Sequence, residues 1–427
     1  MRIIAFLNTY LIGTCLPPFL LAAGLFFGIK LSFFPLRHPK RTARAMCGGS
    51  PRSSLSALSV ALAGTLGVGN IAGVGVALSL GGAGAVLWMI VGGLLAALLK
   101  YAEIALALDF RKQGESRGAL DYIAPTLGRG TALLFAVLTL ALALSMGSLL
   151  QGNVIADAAG GILPLRPLSV GLTLSAVTLL LYLGGRGAIE RITSILIPIL
   201  TCLYTFAALG VIFANITVLK SVIRRILCEA FSLKSVGGGL LGTGLARGMR
   251  SGIQKGLFSN EAGAGTAPFA HGAVNTQPAI QGLYGVLEVL VDTVLMCTLT
   301  AVATLSAFET LPSLSGTALV AAAFGTVFGE AAEIIISLAI ILFAYATVAC
   351  WVSYSRTALG HLTGSRTAAA LLALLFSASM TIGALIPPDG AWALADLILG
   401  SMTLINTVAL LKNRRRILTL TRSAGLL

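Results

Sequence analysis

Charge is the scarcest commodity in this chain: only 10% of its 427 residues are charged, and the 15 Asp and Glu are outnumbered by 29 Lys and Arg. With 57% hydrophobic residues and a mean hydropathy of +0.95, there is too little polar surface to clothe a soluble domain of this length. Histidine is nearly missing, with His38, His271 and His361 far apart, which excludes a zinc or haem site built on imidazoles. The six cysteines (Cys15, Cys47, Cys202, Cys228, Cys297, Cys350) show no CxxC spacing and are expected to be small buried packing residues. There is no HExxH, no GxSxG elbow and no GxxxxGK[ST] loop, so an intramembrane enzyme or a nucleotide-driven pump lacks its machinery.

What the chain has instead is long apolar runs. Eleven spans of bilayer length are expected at 5–29, 56–79, 84–108, 131–157, 168–184, 192–214, 238–274, 279–305, 331–360, 367–387 and 391–411. The first is too long in its apolar part to be a signal peptide, and its basic cluster follows rather than precedes it, so it reads as a retained helix. The fold class is therefore an all-α polytopic membrane protein. The net charge of +14 gathers at span ends rather than along a polar face, which argues for topology signals and against nucleic acid. Lys30 to Arg52, Arg111 to Arg129 and Lys412 to Arg416 mark three cytoplasmic loops, placing the N-terminus outside and the C-terminus inside. Lys220, Arg224, Arg225 and Lys234 fall on the opposite side in this scheme, so that stretch is either an outer amphipathic helix or a miscounted boundary.

Setting aside the first helix leaves ten spans, and two sets of five enter the membrane with opposite orientation, the arithmetic of an inverted repeat. The expected units are 1–55 (first helix and basic loop), 56–215, a connecting segment 216–235, 236–411, and a basic tail 412–427. Both sets open on a glycine-interrupted helix: GTLGVGN around Asn70 and GLFSNEAGAGTAP around Asn260. Unwound backbone at membrane depth survives only where protein buries it or where it lines a cavity. Its free N–H and carbonyl ends suit a carboxylate and a cation. Close packing of Gly69 and Gly73 as a GxxxG pair is the competing account of the first break.

Acids inside a membrane are costly and functional by default. Glu261 beside the second break and Asp292 in the eighth span are candidates for binding a cation, carrying a proton or pairing with a base such as Lys255. Glu288 shares a helix face with Asp292. Glu103 and Asp109 read as salt-bridged anchors at the end of the third span.

Several segments in order, GTLGVGNIAGVGVALSLGGAGAVLWM, KYAEIALALDFR, MGSLLQGNVIADA, GLFSNEAGAGTAP, QGLYGVLEVLVDTVLMCTLTA, LFAYATVACW and WALADLILGSMTLINTVALL, resemble the alanine or glycine:cation symporters (sodium:alanine symporters) across almost the whole chain. The resemblance implies a leucine-transporter-like 5+5 inverted repeat behind one extra N-terminal helix. It also implies sodium-coupled uptake of small neutral amino acids through a bacterial inner membrane, with no cofactor beyond the coupling ion. It places the substrate at Gly69, Asn70, Gln151, Phe258 and Ser259, with Trp351 capping the pocket. It places one sodium at the carbonyls of Ala63 and Leu66 with Phe343 and Thr347, and a second near Thr65, Asn70 and Thr293. The sequence departs from the family pattern at Ala346, where a second hydroxyl is usual beside Thr347, and at Val68, where a threonine is usual; the first departure keeps a proton-coupled carrier as the alternative.

Overall fold

A computed structural model describes residues 6–48, 51–112, 116–231, 243–387 and 389–427. Helices account for all regular elements among them, and no β-strand is present. In chain order the spans are α1 (Tyr10–Lys30), a bent pair α2 (Arg52–Thr65) and α3 (Gly69–Gly81), α4 (Gly84–Phe110), α5 (Arg129–Ile162), α6 (Pro167–Gly185), α7 (Gly187–Ala214). After α8 (Leu219–Ala230), α9 (Thr243–Asn260) and the short α10 (Ala267–His271) come α11 (Pro278–Ala307), α12 (Gly316–Phe328), α13 (Ala331–Leu362), α14 (Arg366–Leu385), α15 (Gly390–Lys412) and α16 (Arg414–Ser423).

Nine of these helices are long and apolar enough to cross a bilayer, ten when α2 and α3 count as one span bent by 55°. Ten of the eleven expected spans thus have a counterpart. The exception is 238–274, whose first residues lie outside the described ones. From Thr243 it is α9, a six-residue loop and α10, and α9 is too polar to qualify by hydropathy alone. Lys234 likewise lies outside the described residues. The basic stretch before it is α8, an amphipathic helix that buries Val222, Ile226 and Ala230 on one face. Glu229 of α8 accepts from the Ala83 amide at 2.7 Å, and Trp88 Nε1 donates to the Ala230 carbonyl, so α8 caps the turn between α3 and α4.

Burial separates a centre from a periphery. The most apolar stretches of α4 and α13 are each 61% buried, against 22% for α6 and 33% for α7, whose outward Leu180, Leu183, Phe206 and Phe213 are left for lipid. Small residues bring the central helices together: a Cβ on Gly383 of α14 would sit 1.9 Å from the Leu149 carbonyl of α5, and one on Gly252 of α9 would sit 2.3 Å from the Ala85 carbonyl of α4. Cysteine does not follow the expected packing role. Cys15, Cys47, Cys202 and Cys228 are exposed, the last three at or beyond the outer faces of the packed helices; only Cys297 and Cys350 are buried.

The two breaks have different local causes. Between α2 and α3 the Asn70 side chain reaches back to accept from the Gly67 amide at 2.8 Å, replacing a turn of the helix ladder with a side-chain cap. After α9, Glu261, Gly263 and Gly265 all take positive φ (50°, 86° and 78°), which ends any right-handed helix; two glycines make this cheap, whereas Glu261 is strained.

Candidate transport site

Asp292 sits where the two breaks meet. It is fully buried on α11, and its carboxylate accepts from Asn70 Nδ2 at 2.8 Å, Ser259 Oγ at 2.9 Å and Thr293 Oγ1 at 2.7 Å. Asn70 Nδ2 also bonds Ser259 Oγ at 3.1 Å, and Asn260 Nδ2 bonds Thr293 Oγ1 at 3.0 Å. The approach is close enough to demand glycine: a Cβ on Gly69 would lie 3.1 Å from Ser259 Cα. Gly73, by contrast, has nothing within 4 Å of its Cβ position, so the GxxxG account fails there. A carboxylate and two hydroxyls offer hard oxygens of the kind a small cation takes, and among the described residues no ammonium is hydrogen-bonded to the carboxylate. No cluster of three or more His, Cys, Asp or Glu suited to a metal occurs among the described residues. Asp292 and Ser259 were legible as candidates, but Cys297, 3.3 Å from Asn70 Nδ2, was not, because thiols in apolar runs look like packing.

Beside this cluster a narrow cleft, with room for little more than a water molecule (about 20 Å³), is lined by Gly64, Thr65, Gly67, Val68 and Gly69 of the first break. Its other walls are Met146, Leu150, Gln151 and Val154 of α5, Phe258 of α9, Thr347 of α13 and Trp392 of α15. Gln151 Nε2 donates to the Met146 carbonyl at 3.0 Å, whereas its buried Oε1 has no hydrogen-bond partner among the described residues. An orphaned buried acceptor in a cleft is costly unless a ligand donates to it. Thr347 Oγ1 is only 3.0 Å from the Cβ position of Gly67 and donates to the Phe343 carbonyl at 3.1 Å; Ala63, Leu66 and Phe343 are each buried. Gln151→Ala is accordingly expected to weaken substrate half-saturation by about tenfold with little change in yield, measured as concentration-dependent uptake.

Trp351 does not line the cleft. It is fully buried, its ring packs on Tyr354 (centroids 5.4 Å apart), and a Cβ on Gly147 would lie 2.4 Å from it. One turn along α13 from Thr347 points it at the backbone of α5 beside Met146, not into the opening. The tryptophan at the cleft is Trp392, packed against Phe258 with centroids 5.0 Å apart and the rings tilted by 46°, and Lys255 Nζ lies over both rings. Lys255 therefore pairs with aromatics rather than with Asp292 or Glu261. Glu261 is buried in the second break, its Oε1 without a hydrogen-bond partner among the described residues and outside the hydrogen-bonded shell of Asp292.

Lys100 and Glu103 of α4 were missed or misread from sequence. Lys100 is fully buried, donating to the Asn260 carbonyl at 2.6 Å and pairing with Glu288 Oε1 at 2.5 Å. Glu288 Oε2 faces His271 Nε2 at 3.7 Å, and Thr65 Oγ1 reaches Glu288 Oε1 at 3.4 Å. Glu103 is no salt-bridged anchor: its Oε2 accepts from the Gly265 amide at 2.9 Å and from Asn406 Nδ2 at 2.8 Å. The signal was a lysine in the middle of a 27-residue apolar helix, a functional candidate by cost alone. Asp109 does anchor, through Arg416 of α16.

Residues 1–423 match the model of the sodium:alanine symporter family. The chain belongs to that family. It is similar to a sodium/alanine symporter of Methanococcus maripaludis, 31% identical over 430 residues that cover 95% of this chain and 92% of the relative. A Bacillus subtilis protein named "probable sodium/glutamine symporter" is 32% identical over 96% of this chain and 87% of its own length. An amino-acid carrier protein of the same organism is 32% identical over 92% of this chain and 86% of its own length. Membership makes this symporter-family chain a multi-pass membrane transporter that couples amino-acid movement to a cation.

Proposed function

We propose that this symporter carries small neutral amino acids, alanine and glycine foremost, with sodium, by alternating access. The observation that carries the reading is the meeting of both helix breaks at Asp292, beside a cleft whose Gln151 Oε1 lacks a partner. In this reading the substrate ammonium donates to Gln151, its carboxylate lies toward the backbone of Gly69 and Asn70, and Phe258 and Ser259 form the far wall. Trp392, in place of Trp351, limits side-chain size. One cation is held by Asp292, Ser259 and Thr293 with Thr65 and Asn70; another by the carbonyls of Ala63, Leu66 and Phe343 with the Thr347 hydroxyl. The five-helix repeats 56–215 and 236–411, joined by 216–235 and flanked by 1–55 and 412–427, form an eleven-span leucine-transporter-like unit in which the first helix of each repeat moves against a scaffold of the others. The α9–α10 segment would supply the remaining span, and the N-terminus would face outward across a bacterial inner membrane.

Proton coupling is the second reading, favoured by Ala346, which leaves Thr347 without a neighbouring hydroxyl, and by Glu261 Oε1, which has no hydrogen-bond partner among the described residues. Uptake of labelled alanine, glycine and glutamine into proteoliposomes, under sodium or proton gradients imposed separately, tests both. Alanine or glycine uptake that requires the sodium gradient is expected. Uptake that follows only the proton gradient overturns sodium coupling, and preference for glutamine overturns the size limit assigned to Trp392.

A further inference from the structure

The second break leaves two frayed ends: a carbonyl end at Asn260, where α9 stops, and an amide end at Gly265, just ahead of α10. A broken helix in lipid would ordinarily offer the first to a cation and the second to an anion. Here both are already served, and by one helix. Lys100 Nζ donates to the Asn260 carbonyl, and Glu103 Oε2 accepts from the Gly265 amide, with the two residues three apart on the same face of α4. Asn406 completes the hold, donating to Glu103 and to the Gly263 carbonyl at 2.8 Å each, while Tyr122 OH donates to Asn406 Oδ1. Among the described residues no charged side chain bonds the backbone of the first break: the Asn70 side chain caps its Gly67 amide, its glycines face Thr347, Ser259 and Cys350, and its surface is a wall of the cleft.

We infer that Lys100 and Glu103 are resident charged side chains standing in for ligands at the second break, positioning Ser259 and Asn260 against Asp292, while the first break, capped by Asn70 and not by a charge, keeps its face to the cleft. Ser259 is one residue from the carbonyl that Lys100 holds, and its hydroxyl is the bond between the second break and the Asp292 carboxylate. Lys100 also pairs with Glu288, one helical turn from Asp292 on α11, so the same ammonium references both partners to α4. These are positioning residues: they act on the cation through Ser259, Asn260 and Asp292. The inference rests on the reading of the Asp292 cluster as a cation site.

A Lys100–Glu288 ion pair that served folding alone could be exchanged for apolar side chains without touching cation affinity, because buried ion pairs often tolerate such replacement. The test is therefore the double variant Lys100→Met with Glu288→Leu, which leaves neither charge stranded. Its yield and thermal unfolding temperature in detergent are expected near those of the parent, while the sodium concentration for half-maximal alanine uptake rises about tenfold or more, for want of one charge-assisted hydrogen bond. Half-saturation within about twofold of the parent overturns the inference. At the amide end, Glu103→Leu should shift half-saturation about tenfold and Glu103→Gln, which keeps an oxygen for Gly265, under threefold; equal shifts overturn it, and this comparison decides if the double variant does not fold. Hydrogen exchange at the amides of 259–265 supplies a readout independent of transport: it should quicken in the double variant, and unchanged exchange counts against the clamp. A parent protein that takes up no amino acid under any gradient overturns the transport reading instead, and the exchange measurement still judges the clamp.

Discussion

Asp292→Ala lowers cation-driven uptake about 100-fold or more. The carboxylate is the acceptor for Asn70 Nδ2, Ser259 Oγ and Thr293 Oγ1, all buried. Its removal takes the carboxylate acceptor from the Ser259 and Thr293 hydroxyls, at roughly 1–3 kcal/mol each, while Asn70 Nδ2 keeps the Asp292 main-chain carbonyl at 3.0 Å. It also removes the only formal negative charge in the proposed cation shell. Even a net loss of about 3 kcal/mol in cation binding is more than a factor of 100 in affinity. Asp292→Asn separates the two contributions, since its amide oxygen still accepts one hydrogen bond but carries no charge. It should restore yield while leaving half-saturation for sodium far above that of the parent. The measurement is initial uptake rate against sodium concentration at matched protein per liposome. An Asp292→Ala protein that keeps uptake within about tenfold of the parent removes Asp292 from the cation path.

The two tryptophans should part company. Trp351→Ala is a stability variant: the side chain is fully buried against Gly147 and Tyr354, and emptying such a site costs about 3–5 kcal/mol. Low yield and a depressed unfolding temperature are expected, with unaltered substrate preference in whatever protein is recovered. Trp392→Ala is a selectivity variant. Its ring is only partly buried, packed against Phe258 at the cleft, so truncation enlarges the opening with a smaller loss of packing. Competition of labelled alanine uptake by unlabelled leucine, methionine and glutamine reads this out. Stronger competition by the larger amino acids is expected for Trp392→Ala and not for Trp351→Ala; the reverse pattern would return the lid to Trp351.

The clash between these tryptophans shows where sequence reasoning reaches its end. Thr347 and Trp351 are one turn apart, and a helix periodicity places both on the same side of α13. Which of two side chains on that face meets a void depends on the neighbour opposite, here the close backbone of α5 at Gly147. Trp392 lies more than a hundred residues in sequence from every other cleft residue but Thr347, and no local pattern announces that α15 passes in front of Phe258. Lys100 was visible as a charge in an apolar run, yet its partner Glu288 and its purpose at the Asn260 carbonyl required α4, α9 and α11 to be packed together.

By itself the sequence determined that the chain lives in a bilayer, roughly where its helices cross, and that two of them break at Asn70 and Asn260. These are local properties: hydropathy summed over a span, and glycine and asparagine where a ladder of hydrogen bonds must stop. Only the tertiary structure decided that both breaks converge on one carboxylate, that one break is held by the protein's own charges, and which tryptophan faces the cleft. Those outcomes depend on distances between segments far apart in the chain, and such distances are set by how small residues let helices approach, not by any residue's own preference.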